Sequence, residues 1–247
     1  MHIFYKIGLA LSVLFCVTVS QAQVKKNTVK KKAATTVKTA VKPKTAAPLL
    51  RVKAPGVRVK ITTDMGEIVV RLFDKTPKHR DNFVKLVNDH FYDSLLFHRI
   101  IAGFMIQGGD PESKNAQPDI MLGKGDIGYT IPAEFDSTLY HKKGALAAAR
   151  TNNPEKASSG CQFYIVQGKK FSDEELNMIT MNTGIYFSPA KRMTYKMLGG
   201  TPQLDMNYTV FGEIESGIDV ADQIAQVQKN NFDRPLKDVH MKMEVIK

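Results

Sequence analysis

Tryptophan is absent from the 247 residues, and only two cysteines, Cys16 and Cys161, are present. Two thiols, one of them inside an N-terminal apolar run, supply neither a disulfide framework nor a cysteine metal cluster, so stability must come from a packed core. Cys161 lacks the accompanying His and Asn or Asp pattern of a thiol nucleophile and reads as a small buried filler. The N-terminal apolar run, Ile7 to Val19, has thirteen residues, short of the roughly twenty that span a bilayer. Acid is missing from the whole first quarter: thirteen basic residues precede the first carboxylate, Asp64. From Asp64 onward 22 basic residues face 24 acidic ones, so the overall net charge of +11 belongs to a tail and not to a fold.

What is there divides the chain into three. Lys6, the short apolar run and the small-x-small signal Ser20-Gln21-Ala22 read as a secretory signal over residues 1–22, cut near Ala22, which places the mature protein in the periplasm. A retained N-terminal anchor is the competing reading. Residues 23–55 are mostly Lys, Thr, Ala, Val and Pro, without an aromatic side chain, a composition that cannot offset the entropy of ordering, and form a basic, disordered arm. Export removes nucleic acid as its ligand; a solvated spacer or a contact with anionic envelope surface remains. Residues 56–247 are the domain, with monomer as the default state.

Within it, Val57, Val59 and Ile61 alternate with Arg58, Lys60 and Thr62, Asp64-Met65-Gly66 turns, and Glu67 to Phe73 returns, a hairpin over 57–73. Thr76-Pro77 opens a helix carrying Phe83, Leu86 and Val87. Short apolar segments follow at Leu95–Ile101, Phe104–Gln107, Ala145–Ala149, Phe163–Val166 and Tyr208–Ile214, then a helix from Ile218 to Val227 and a closing strand Val239–Ile246. Many short strands with few helices predict a mainly β domain, a closed barrel or sandwich. Between about 172 and 203 the character changes. Ser172-Asp173-Glu174-Glu175 is a capping-box signal and Ser188-Pro189 opens another helix ending at Gly199-Gly200, a helical insertion read as surface elaboration.

The richest segment is Phe97 to Asp110. Arg99, Phe104, Met105 and Gln107 are interleaved with apolar strand residues and closed by Gly108-Gly109. Such a site holds an apolar ring beside a fixed cation. It has no nucleophile, metal-ligand cluster or phosphate loop, so its chemistry needs neither covalent attachment, nor a metal, nor a cofactor.

That segment, with Gly144 to Arg150, Gly160 to Ile165, Tyr208 to Gly212 and Gly217 to Val220, resembles the cyclophilin-type peptidyl-prolyl cis-trans isomerases in order and spacing, from about Val57 to Ile246. The resemblance implies an eight-stranded antiparallel barrel capped by two helices, and rotation of X-Pro bonds in proline-containing polypeptides, here during folding of exported proteins. A chaperone or scaffold that binds Pro-containing segments, with incidental turnover, is the alternative. The resemblance makes Arg99, Phe104 and Gln107 catalytic. It gives Met105, Tyr164 and Leu204 to the apolar cup for the proline ring, Ala149 and Arg150 to main-chain pairing with substrate, and Gln162 to support of the groove. His98 is structural. Tyr208 stands where many members carry a histidine and Gln203 where many carry a tryptophan, so cyclosporin should bind weakly.

Overall fold

The computed structural model describes residues 56–118 and 120–247; the signal and the basic arm lie outside the described residues. Those described fall in one compact unit, Val52–Lys247. The hairpin forms as read: β1 (Arg58–Thr63) pairs antiparallel with β2 (Gly66–Leu72) around the Asp64-Met65 turn. After α1 (Pro77–Asn88) come β3 (Leu95–Ile101), β4 (Met105–Gly108), β5 (Thr130–Ile131), β6 (Ala145–Ala148), β7 (Ser158–Ser159) and β8 (Phe163–Val166). Then follow α2 (Asp173–Thr183), α3 (Pro189–Met197), β9 (Val210–Ser216), α4 (Ile218–Ile224) and β10 (His240–Ile246). Eight strands close a barrel in the order β1-β10-β3-β4-β8-β6-β9-β2, every pairing antiparallel, while β5 and β7 make a separate two-stranded ribbon. Two-residue strands are too short to leave a periodic signal, which is why the ribbon escaped the sequence reading.

Period-two alternation sends one face of each strand into the barrel and the other outward. Val59, Ile61, Ile68, Val70, Phe97, Ile106, Leu146, Phe163 and Ile165 fill the interior with Phe83 of α1. The rings of Phe83, Tyr92 and Phe163 meet edge-on or tilted at 5.1–5.7 Å, arrangements that suit the aromatic quadrupole. The residues between them, Met105, Ala145, Ala147, Tyr164, Val166 and Val210, form a second apolar cluster on the outer face of β4, β8, β6 and β9. A barrel wall apolar on both sides needs something to cover the outer one.

Helix α1 starts at Pro77 without a side-chain cap from Thr76. Glu134 supplies the cap instead, accepting the N–H groups of Lys78 (3.1 Å) and His79 (3.0 Å), a carboxylate placed at the positive end of the helix. The His79 ring, buried between Glu134 (2.7 Å) and the Ser158 hydroxyl (3.0 Å), ties α1 to the ribbon. Burial lowers its pKa, with Glu134 working against that.

The insertion carries its own small core of Leu176, Phe187 and Tyr195. Its first helix opens on the reciprocal Ser172–Glu175 capping box and ends on Gly184 in the left-handed region.

Candidate active site

One irregularity in the barrel makes the site. Phe97 pairs with Gly108 but Arg99 with Gln107, so β3 carries one extra residue, His98, against β4. A bulge reverses the facing of the residues beyond it. Phe97 and Ile100 both point into the barrel, three apart instead of two, and Arg99 turns outward beside Gln107. His98 is left buried, 2 % exposed, against Gly123 of the neighbouring loop, with neither ring nitrogen hydrogen-bonded among the described residues. Burial lowers its pKa to about 4, Asp110 opposing and Arg99 adding to the fall. His98 does not line the groove itself; its ring lies behind Gly123 of the loop.

Outside the wall, Arg99, Phe104, Met105, Gln107, Ala149, Arg150, Tyr164, Leu204 and Tyr208 line one cavity of about 290 Å³, closed on the loop side by Leu122 and Gly123. Of the sequence-predicted residues only Gln162 stands outside it, behind Gln107. Met105 and Tyr164 are the buried floor. Tyr208 meets Tyr164 edge-on with centroids 5.9 Å apart, and the Arg150 guanidinium lies over the Tyr208 ring at 4.7 Å, a cation on an aromatic face. Leu204 enters from a single 3₁₀ turn, Pro202–Leu204.

A directional relay sets Arg99. The Gln162 amide nitrogen donates to the carbonyls of Gly125 (2.7 Å) and Gly123 (3.2 Å). Carbonyls only accept, so the Gln162 oxygen must face Gln107, whose amide nitrogen donates to it at 3.0 Å. That leaves the Gln107 oxygen for Arg99 Nη1 at 3.3 Å. Each amide orientation is thus forced by the one before it, starting from backbone that cannot reverse. Among the described residues Arg99 has no carboxylate partner, so its remaining donors face the cavity.

The Ala149 N–H donates to the Gln162 carbonyl (2.9 Å) and the Ala149 carbonyl accepts the Ser159 N–H (2.8 Å), whereas the main chain of the adjoining Arg150 has no such partner among the described residues. The Arg150 side chain is held by the Asn207 carbonyl at 2.9 Å.

Leu122 and Gly123 were missed because no periodicity marks that loop. The run Gly123-Lys124-Gly125-Asp126-Ile127-Gly128 was the available signal, since glycine admits close backbone approach. A side chain at Gly125 would collide with Asp110, whose carboxylate holds the loop through the Gly123 N–H. Beyond Gln107 a second cavity of about 420 Å³ continues along Lys124, Asp126, Tyr129 and Thr151. Among the described residues no group of three His, Cys, Asp or Glu side chains is gathered that could hold a metal ion.

Residues 58–245 match the family model described as cyclophilin type peptidyl-prolyl cis-trans isomerase/CLD. The chain belongs to this family. A cyclophilin-type chain of Cryptosporidium parvum, solved in the presence of the dipeptide Ala-Pro, superposes with a TM-score of 0.56 at 22 % identity, covering 77 % of this chain and 99 % of that one. A Staphylococcus haemolyticus protein named as a peptidyl-prolyl cis-trans isomerase is 34 % identical over 184 residues, 74 % of this chain and 87 % of the relative. A Streptococcus pyogenes protein named as a bifunctional phosphatase/peptidyl-prolyl cis-trans isomerase is 38 % identical over 189 residues, and the chain spans 37 % of its length. The cyclophilin barrel is the fold expected from the sequence, and the chain is an X-Pro isomerase.

Proposed function

We propose that Arg99 is the group that speeds rotation of the X-Pro bond, and that the substrates are exported proteins during folding. The carrying observation is the Arg99 guanidinium held by Gln107 at the rim of an apolar cup. Resonance gives the planar amide a barrier of about 18–20 kcal/mol and leaves its nitrogen without an available lone pair. As the bond twists, that lone pair localises and the nitrogen becomes an acceptor. A fixed donor beside it therefore binds the twisted state and neither planar one, and only such differential binding accelerates the step. Arginine suits the task because its planar fork keeps both its charge and its direction. Phe104, Met105, Tyr164 and Leu204 hold the proline ring, while the Arg150 main chain pairs with residues ahead of it. No bond to the protein is formed.

The residue pattern over 1–22 supports export, and the basic composition of 23–55 supports contact with anionic envelope surface. N-terminal sequencing of the protein from the envelope fraction tests the first, with processing near Ala22 expected; an unprocessed chain in the cytosol ends the export reading. Deleting residues 24–54 tests the second, and unchanged fractionation removes it.

One observation favours the chaperone alternative as an added role. Met178, Met181, Met193 and Met197 of α2 and α3 are 58–82 % exposed, and flexible thioethers suit promiscuous apolar contact. Suppression of aggregation by an Arg99→Ala variant as strong as by the wild type supports that role; no suppression by either removes it.

A further inference from the structure

We propose that Tyr195 and Lys191, on the inserted helix α3, are positioning residues for the proline cup, acting through Asp205 and His141 on Tyr164. The inference rests on the isomerase reading above. Asp205 directly follows the cup residue Leu204 and is 1 % exposed. A carboxylate taken that far from water has to be met by donors or it is strongly destabilising. The barrel side supplies His141, whose backbone N–H and ring Nδ1 both lie 2.9 Å from Asp205 Oδ1. The insertion supplies the rest: the Tyr195 hydroxyl is 2.9 Å from both carboxylate oxygens, and Lys191 Nζ lies 3.6 Å from Oδ2.

The chain of bonds continues into the site. With Asp205 accepting at Nδ1, His141 carries its proton there and presents Nε2 as an acceptor, 2.9 Å from the Tyr164 hydroxyl. The two rings stack, centroids 6.0 Å apart and planes 12° from parallel. Tyr164 is the floor of the cup and the edge-on partner of Tyr208. The insertion therefore holds one end of a buried polar chain whose other end is a cup residue, and the same carboxylate pins the turn that delivers Leu204. Loss of the Tyr195 hydroxyl frees Asp205 to tilt, and His141, Tyr164 and Leu204 follow.

The test is a double-mutant cycle on the full chain, with kcat and KM for Xaa-Pro peptide isomerisation measured alongside urea denaturation. Tyr195→Phe keeps the ring and removes one hydroxyl. It is expected to lower kcat/KM roughly three- to tenfold through KM. Tyr164→Phe, breaking the same chain at its far end, is expected to lose a similar factor, and the double variant no more than either single one. Should Tyr195→Phe fail to fold, Lys191→Met against Tyr164→Phe carries the same test, with a KM rise of roughly twofold expected and no further loss in combination. A fall in denaturation midpoint with wild-type KM, or losses that multiply, overturns the positioning role. Wild-type protein without turnover in the same assay would instead remove the isomerase reading itself.

Discussion

Replacing Gln162 by Leu tests whether the relay behind Arg99 contributes to catalysis or only to stability. Gln162 is 7 % exposed, so water does not readily replace what is lost. Three hydrogen bonds go: two to the loop carbonyls of Gly123 and Gly125 and one from Gln107. At about 1 kcal/mol net for each neutral bond, stability should fall by roughly 3 kcal/mol. The effect on activity has a different origin. Without Gln162 the Gln107 amide is free to reverse and present its NH₂ to Arg99, donor against donor. Loss of one orienting bond, about 1 kcal/mol, corresponds to roughly fivefold in kcat/KM. Urea denaturation reads the first number and an uncoupled peptide assay by NMR exchange reads the second. A variant destabilised as expected but within twofold of wild type in kcat/KM would refute the orienting role while leaving the loop anchor intact.

Two further outcomes concern the buried groups. His98 has a folded-state pKa of about 4 against an ordinary 6.5, so the unfolded chain takes up its proton first; stability is full above 6.5, falls as pH drops through 6.5 to 4, and loses roughly 3 kcal/mol over that window. His79 is lowered too and adds to the same slope, so the readout is the difference between wild type and His98→Leu, whose denaturation profile should be flatter by that amount; parallel profiles would contradict it. Gly109→Ala should cost about 3 kcal/mol or more, since φ is +90° and the new Cβ would sit on the Cys161 carbonyl, just ahead of β8, and a loss under about 1 kcal/mol would show that the Cys161 segment yields.

How far the sequence was readable depended on whether a feature had a period or a partner nearby. The hairpin and α1 come from spacing, whereas the placing of Met105 and Tyr164 in the cup comes from the family resemblance and not from the period. The bulge at His98 comes from neither: nothing in Phe97-His98-Arg99 says that Arg99 will face outward, because simple alternation puts it on the same side as Phe97. Gln107 was legible as an amide in an apolar strand, but its direction is decided by backbone carbonyls at Gly123 and Gly125, in a loop without periodicity. For Ala149 the place in the groove was legible, but that its N–H is already taken by the Gln162 carbonyl is visible only once the ends of β6 and β8 are side by side. His141 and Asp205 lie 64 positions apart and belong to no local pattern, so the insertion read as decoration when its Tyr195 reaches toward the cup.

The central claim is that Arg99 binds the twisted X-Pro bond. Its most direct test is the exchange rate between cis and trans Xaa-Pro peptide, by NMR, with wild type, Arg99→Lys and Arg99→Ala at equal folded concentration. A charge-assisted bond made only in the twisted state is worth about 1.5–3 kcal/mol, so the Ala variant should lose roughly ten- to a hundredfold in kcat/KM, with Lys recovering a part. An Ala variant within twofold of wild type would contradict the account.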